Sequence, residues 1–355
     1  MHPTGLPLEL SQDRPQQKDK MATAYLTTEG MKTEVNGERI DLRIPSDVPG
    51  TYSNQHWVPL FDVEHVVLDA SIHMSLRSVS KILSRGIPIL LLSHGNFPSG
   101  IAHPMRRQVM CLANQIDASR NNDFRLRCSK AVVVAKIMNM RRVLQRLSAN
   151  RQENQTIAQS WLKAMANQAQ AAANTDSLRG IEGAASGRYF ELIGRYFPDE
   201  LPFERRSRRP PHNEVNALLS FLYTLLTSEI TLHILAASLE PGWGFYHETE
   251  DGRPSLALDM LEPFRAPVCD ALALDLLNHR RLKAENFEKA RGGILLKKES
   301  RRIVFAALEE RLEREFLYQG DDSRTTLRTL FKRQALQYKR ILQEENGVFE
   351  PFLMN

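Results

Sequence analysis

Apolar residues recur with two different periods along this chain, and the change of period divides it. From residue 22 to about 105 the pattern is strand-like. Ile40, Leu42 and Ile44 alternate with polar residues after Asn36-Gly37, a hairpin signal because both residues tolerate positive φ. A second apolar run lies within Val58 to Ala70, and a short helix is expected between Ser71 and Arg85, with Leu76, Val79 and Leu83 on one face and Gly86 at its C-terminal cap. The stretch IPILLLSHGNFPSGIAH then predicts a buried strand, a turn and a returning strand. After Pro104 the period becomes about 3.6 and is expected to hold to the C-terminus. The expected fold class is therefore α+β and multi-domain: a tail over 1–21, a small β-rich domain over 22–105 and a larger all-α domain over 106–355.

Within the helical part, Asn213 to Leu239 is the most apolar segment, interrupted by Asn216, Glu229 and His233. A membrane span needs about 20 consecutive apolar residues, so this segment is expected to be a central core helix and the chain to have no membrane association. Gln159 to Thr175, rich in Ala and Gln, is expected to be a solvated helix or a cover, and Phe305, Leu308, Leu312 and Phe316 form another amphipathic stripe.

The length of 355 residues suits two domains, and 42% hydrophobic with 25% charged residues excludes a disordered or fibrous chain. Three cysteines, Cys111, Cys128 and Cys269, form no CxxC pair, which argues against a disulfide framework or a thiolate metal site and for a reducing compartment. The first 20 residues lack the apolar core of a secretory signal and read as a disordered tail. Net charge is only +5, but residues 101–150 hold ten Lys or Arg against two acids. That local balance of +8 is larger than the net charge of the whole chain, which by itself only hints at an anionic partner.

Walker, GxGxxG, GxSxG and HExxH motifs are absent. Four arginines, Arg205, Arg206, Arg208 and Arg209, lie within five positions ahead of Pro210-Pro211. They are either a solvated basic loop or phosphate-binding forks. His247 follows in a Gly- and aromatic-rich loop, and Asp259 and Glu262, three apart on the next helix, share one face among apolar neighbours. Buried acids need a cation, which is either Arg253 or Arg265, or a divalent metal. Glu182 is a third acid, expected in the first turn of a helix among small residues (IEGAASG) that either permit close helix packing or leave room for a substrate backbone. His94, His103 and His212 have no acid at ligand spacing and are read as structural.

The segments IEGAASGRYF, RRPPHNEVNALLSFLYTLL, GFYHE and SLALDMLEPFR, in this order, resemble the signature of the CRISPR-associated spacer-acquisition integrases, the first-numbered Cas proteins. The resemblance spans roughly residues 22–340. It implies a β-rich domain that mediates homodimerisation and a helical catalytic domain with one site per subunit. By residue-to-residue match it implies Glu182, His247 and Glu262 as ligands of Mn²⁺ or Mg²⁺, with Asp259 supporting them. Asn213 stands where an Asp often follows the two prolines and is given no catalytic role. The implied activity is metal-dependent endonuclease and integrase chemistry, joining 3′-hydroxyl ends of short DNA fragments into a repeat array by transesterification. Implied partners are double-stranded prespacer and repeat DNA and the small ferredoxin-like second-numbered Cas protein, in a prokaryotic cytoplasm. The competing readings are a branched-DNA repair nuclease and a non-catalytic DNA-binding helical protein.

Overall fold

The structure is a computed structural model that describes residues 22–354 except 47–50, 53–55, 94–97, 105–107, 208–209, 291, 319–322 and 345–346. The tail expected over 1–21, together with His94, Arg208 and Arg209, lies outside the described residues.

Strands come first. β1 (Ala22–Leu26), β2 (Lys32–Asn36), β3 (Arg39–Arg43), β4 (His56–Pro59), β5 (Val63–Asp69) and β6 (His73–Met74) precede α1 (Leu76–Ser84), which leads into β7 (Ile89–Leu92) and β8 (Pro98–Ala102). They form two four-stranded sheets, ordered β1-β5-β7-β8 and β4-β3-β2-β6. The expected hairpin joins β2 to β3: Asn36 faces Arg39, and Gly37 takes the positive φ of 57° that the two-residue loop requires. α1 starts five residues later than the apolar pattern suggested, because Ser75 caps it by accepting the Ser78 N–H.

The first sheet is covered on both faces. Leu68 and Ile89 pack with Ile40 and Ile82 in the core shared with the second sheet and α1, whereas Val67, Leu90 and Leu92 join the core of the helical region. Successive side chains of a strand point to opposite faces, so a strand covered on both sides carries an apolar run such as Ile89-Leu90-Leu91-Leu92, of which only Leu91 is exposed.

The helical region comprises α2 (Val109–Arg120), α3 (Asn122–Asn150), α4 (Thr156–Ala171), α5 (Thr175–Gly194), α6 (Glu214–Ala236), α7 (Ser255–Leu261), α8 (Ala271–Asn278), α9 (Arg301–Glu313) and α10 (Leu327–Ile341). α6 is long and apolar enough to cross a membrane by length and composition, but most of it is buried by the other helices, as expected of a core helix. Its N-cap is Asn213, whose side chain accepts the Asn216 N–H. α4 is a cover: Ala158, Leu162, Ala166 and Ala169 pack inward and the rest of its surface is largely solvated.

An unbroken helical period to the C-terminus is corrected at two places. β9 (Phe287–Ala290) and β10 (Gly293–Leu296) form one antiparallel ribbon, and β11 (Phe316–Leu317) and β12 (Arg324–Thr325) form another. Phe316 is therefore not on the helical stripe of Phe305, Leu308 and Leu312; α9 ends at Glu313.

Candidate active site

Glu182, His247 and Glu262 come from three elements and meet at one pocket of about 250 Å³, lined also by Lys136, Arg179, Tyr246, Glu248, Arg253 and Arg265, and Asp259 lies fully buried behind His247. α5 supplies Glu182, the loop after α6 supplies His247, α7 supplies Asp259, and the turn that follows α7 supplies Glu262.

Glu182 is not in a first turn. α5 begins at Thr175, seven residues earlier, capped by Asn174, which accepts the Ser177 N–H. The first-turn acid is Asp176, so the helix dipole does little for Glu182. What holds its carboxylate is Ser186, which donates to it at 2.7 Å, and the Lys136 ammonium. Burial alone would raise its pKa, but the lysine outweighs that and lowers it. A Cβ placed on Gly180, Gly183 or Gly187 would meet nothing within 4 Å. These glycines therefore do not serve helix packing; they leave an open surface beside Glu182.

Lys136, from the middle of α3, is the site residue that sequence reasoning missed. Its Nζ also lies 2.6 Å from Glu262 Oε2 and thus stands between the two carboxylates, itself only 5% exposed. Arg265 Nη2 lies 3.1 Å from the other oxygen of Glu262. Burial favours the protonated acid at Glu262, yet Arg265, Lys136 and His247 together hold it down at about 2. Arg253, the other cation considered, pairs with Glu250.

The chain is locally irregular where Glu262 sits. α7 gives way to a tighter 3-10 turn over Glu262–Phe264 and then to a wide π turn over Arg265–Asp270 before α8 resumes. Pro263 and Pro267 each remove an amide donor from the helical ladder, which breaks it just after Glu262.

Asp259 has no exposed surface and carries no ligand function in this arrangement, because its oxygens are already taken. Oδ2 accepts the N–H of Phe245 at 2.6 Å and of Tyr246 at 2.9 Å; Oδ1 accepts the N–H of His247 at 2.8 Å and its ring Nδ1–H at 2.6 Å. Gly244 permits this approach, since a Cβ there would fall 2.6 Å from Asp259 Oδ2. Arg125 and Ser129 donate to the Phe245 carbonyl, Arg179 to that of Tyr246 and Gln115 to those of Glu240 and Trp243. His247 is thus fixed on a loop anchored at both ends. With Nδ1 committed, Nε2 is the free acceptor, 3.8 Å from Glu262 Oε1.

The residues fit a divalent ion. The free imidazole nitrogen and two carboxylates converge on a spot that already holds a cation, the Lys136 ammonium. A donor set of one N and several O suits Mn²⁺ and Mg²⁺.

Of the described arginines before Pro210, Arg205 is exposed, whereas the Arg206 guanidinium donates to Asn216 Oδ1 and Ser220 Oγ and stacks on Tyr223 at 5.2 Å. Arg265 stacks on the same ring at 5.0 Å. The Tyr223 hydroxyl donates to Asp270 at 2.5 Å. Burial lifts the Asp270 carboxyl to about 6, against the lowering by the hydroxyls of Tyr223 and Tyr189 and the charges of Arg206 and Arg265. A folded-state pKa above the unfolded one means stability that is present below pH ~4 and lost as pH rises through 6. Asp270→Asn removes that loss, so its stability relative to wild type is expected to improve by roughly 3 kcal/mol between pH 4 and 7. Urea titrations of both proteins at several pH values check this; a constant difference contradicts it.

A family model described as CRISPR associated protein Cas1 matches residues 24–310. The chain belongs to the Cas1 family. It is 34% identical over 312 residues to the CRISPR-associated endonuclease Cas1 2 of Rhodospirillum rubrum, covering 84% of this chain and 88% of that one. The backbone is similar to that of a CAS1 protein from Thermotoga maritima, with a TM-score of 0.75, 25% identity and coverage of 92% and 98%. A casposase bound to integration product shares the fold at a TM-score of 0.80 and 20% identity, covering 94% of this chain and 95% of that one. The chain is accordingly a CRISPR-associated enzyme of the nuclease class, which removes the non-catalytic reading.

Proposed function

We propose that Glu182, His247 and Glu262 hold one Mn²⁺ or Mg²⁺ ion and that this site joins the 3′-hydroxyl ends of short DNA fragments into a repeat array by transesterification. The observation that carries the reading is the convergence of the free His247 Nε2 and the two carboxylates on one pocket, with Asp259 fixing the tautomer behind it. A bound divalent ion supplies Lewis-acid polarisation of the scissile phosphate and a lowered pKa for the attacking hydroxyl.

The chain's own residues do the rest. Asp259 keeps the proton on Nδ1, so His247 offers a lone pair at Nε2. Lys136 and Arg265 hold Glu262 ionised and in place, and the open glycine face of α5 leaves room for a phosphate backbone beside Glu182. Arg179 and Arg253 line the pocket as cations for flanking phosphates, and exposed Arg205, Arg120 and Arg127 extend the basic surface; Arg208 and Arg209 are included on sequence alone. Such contacts set affinity and its salt dependence and carry little sequence information. The partners we assign are double-stranded prespacer and repeat DNA, a second copy of the chain through the strand-rich region 22–105, and the small ferredoxin-like second-numbered Cas protein, in the prokaryotic cytoplasm.

The test is joining of a labelled fragment into a supercoiled repeat plasmid with Mn²⁺ or Mg²⁺. Wild-type protein is expected to give joined product, and His247→Ala none while it still binds the fragment. Joining by His247→Ala at the wild-type rate overturns the site assignment. Cleavage of branched DNA with no joined product under any condition favours the repair nuclease instead.

A further inference from the structure

A second cluster of metal-type donors lies where the strand-rich region meets the helical one, away from the pocket just described. One donor atom each from Glu64, His65 and His233 fall within 4.8 Å of one another. Glu64 and His65 are consecutive in β5, and consecutive strand residues normally point to opposite faces. Here they converge because the register slips: Ala22 pairs with Val63 but Thr23 pairs with His65, so Glu64 is an extra, bulged residue. A bulge re-aims a side chain in this way. His233 reaches the same spot from the last turn of α6.

The two imidazoles are 1% and 2% exposed, and their rings meet edge to face at 4.7 Å. None of their four nitrogens makes a hydrogen bond. Glu229 Oε1 is 3.9 Å from His65 Nδ1 and 3.6 Å from His233 Nε2, too far for a hydrogen bond. Buried polar atoms without partners are costly and rare in folded proteins. The charges around them do not balance either. Arg328 serves Glu229, Glu309 and Glu313 together, and Lys332 lies 3.5 Å from Glu64. Four carboxylates thus face two cations, with two neutral imidazoles beside them.

We propose that Glu64, His65 and His233, with Glu229 Oε1 adjacent, form a second metal site that takes Zn²⁺ and clips β5 to α6. Two imidazole nitrogens with carboxylate oxygen are a zinc donor set, whereas Mg²⁺ prefers oxygen alone. The ion satisfies the orphaned nitrogens and cancels the two excess negative charges. Tetrahedral zinc ligands lie roughly 3.4 Å apart, so closure around the ion needs shifts of about an ångström. The clip has a structural role: it ties the C-terminal end of α6, from which the His247 loop departs, to the central strand of the first sheet. It is independent of the assignment of the catalytic residues.

The experiment uses full-length protein carrying Glu182→Gln and His247→Asn, so that the catalytic pocket keeps only one of its three ligands, the Glu262 carboxylate, and no imidazole to hold zinc. This protein, purified without added metal, is expected to retain about one zinc per chain by elemental mass spectrometry. Chelation with EDTA is expected to lower its thermal midpoint, and ZnCl₂ to restore it. Adding His233→Asn abolishes both the zinc and the response. Because that variant can fail to fold, the parent is also reconstituted with Co²⁺, whose visible bands report tetrahedral N/O ligation. Absence of bound zinc together with a midpoint unmoved by ZnCl₂ overturns the proposal, and so does undiminished zinc in a folded His233→Asn variant.

Discussion

Glu262→Gln is expected to lower the rate of fragment joining by well over a hundredfold, more than the ten- to hundredfold that loss of an outer partner of a metal ligand costs. The glutamine fits the same space but has no charge. In the native site this carboxylate balances Lys136 on one side and Arg265 on the other, and all three groups are nearly buried. Without it, two cations face a single acid, Glu182, and the pocket repels a divalent ion in place of attracting it. Metal affinity measured by Mn²⁺ titration is therefore expected to fall along with activity, and excess Mn²⁺ is expected to rescue little. Glu262→Asp retains an oxygen ligand one methylene further back and is expected to keep measurable joining. A Glu262→Gln enzyme within a few fold of wild type in both rate and Mn²⁺ affinity contradicts the ligand assignment.

Much of this site is legible in the sequence, because its chemistry needs residue types that a chain otherwise avoids. Glu262 and Asp259 stand out as acids among Leu256, Leu258, Met260 and Leu261, and Pro263 marks the break that re-aims the helix. Lys136 was illegible for the opposite reason. It is one of ten basic residues in a fifty-residue stretch, and nothing in the local pattern separates the one that turns inward from those that face solvent. Its burial is decided by α5 and α7, which pack on α3 from 46 and more than 120 residues away. The start of α5 was misplaced because Gly180, Gly183 and Gly187 weaken the local helical signal, while the Asn174 cap that fixes the true start lies further upstream. The ribbons β9-β10 and β11-β12 escaped for a related reason: strands of two to four residues are too short to establish a period of two.

The partner of His247 could not be identified from sequence, although Asp259 was singled out as an acid beside the site. The structure joins the two observations in one hydrogen bond, and a second prediction follows from it. Asp259→Asn is expected to cost about a hundredfold or more in joining while the protein stays folded. The amide can present only one oxygen. If that oxygen keeps the N–H groups of Phe245 and Tyr246, the amide nitrogen takes the place of Oδ1 and faces the N–H and Nδ1 of His247. A donor there requires Nδ1 to accept, which moves the imidazole proton to Nε2 and removes the lone pair that the site uses. Wrong-tautomer substitutions of this kind leave the geometry nearly intact and still cost several orders of magnitude in a histidine-dependent enzyme. Asp259→Ala differs in kind: it orphans three buried backbone N–H groups at about 1–3 kcal/mol each, enough to loosen the whole loop and lower the thermal midpoint by many degrees. The decisive readout is therefore spectroscopic. In ¹⁵N-labelled histidine spectra, His247 is expected to be protonated at Nδ1 in the wild type and at Nε2 in Asp259→Asn. If the variant keeps the Nδ1–H form yet loses activity, Asp259 acts by some route other than the tautomer; if it keeps both, the positioning role fails.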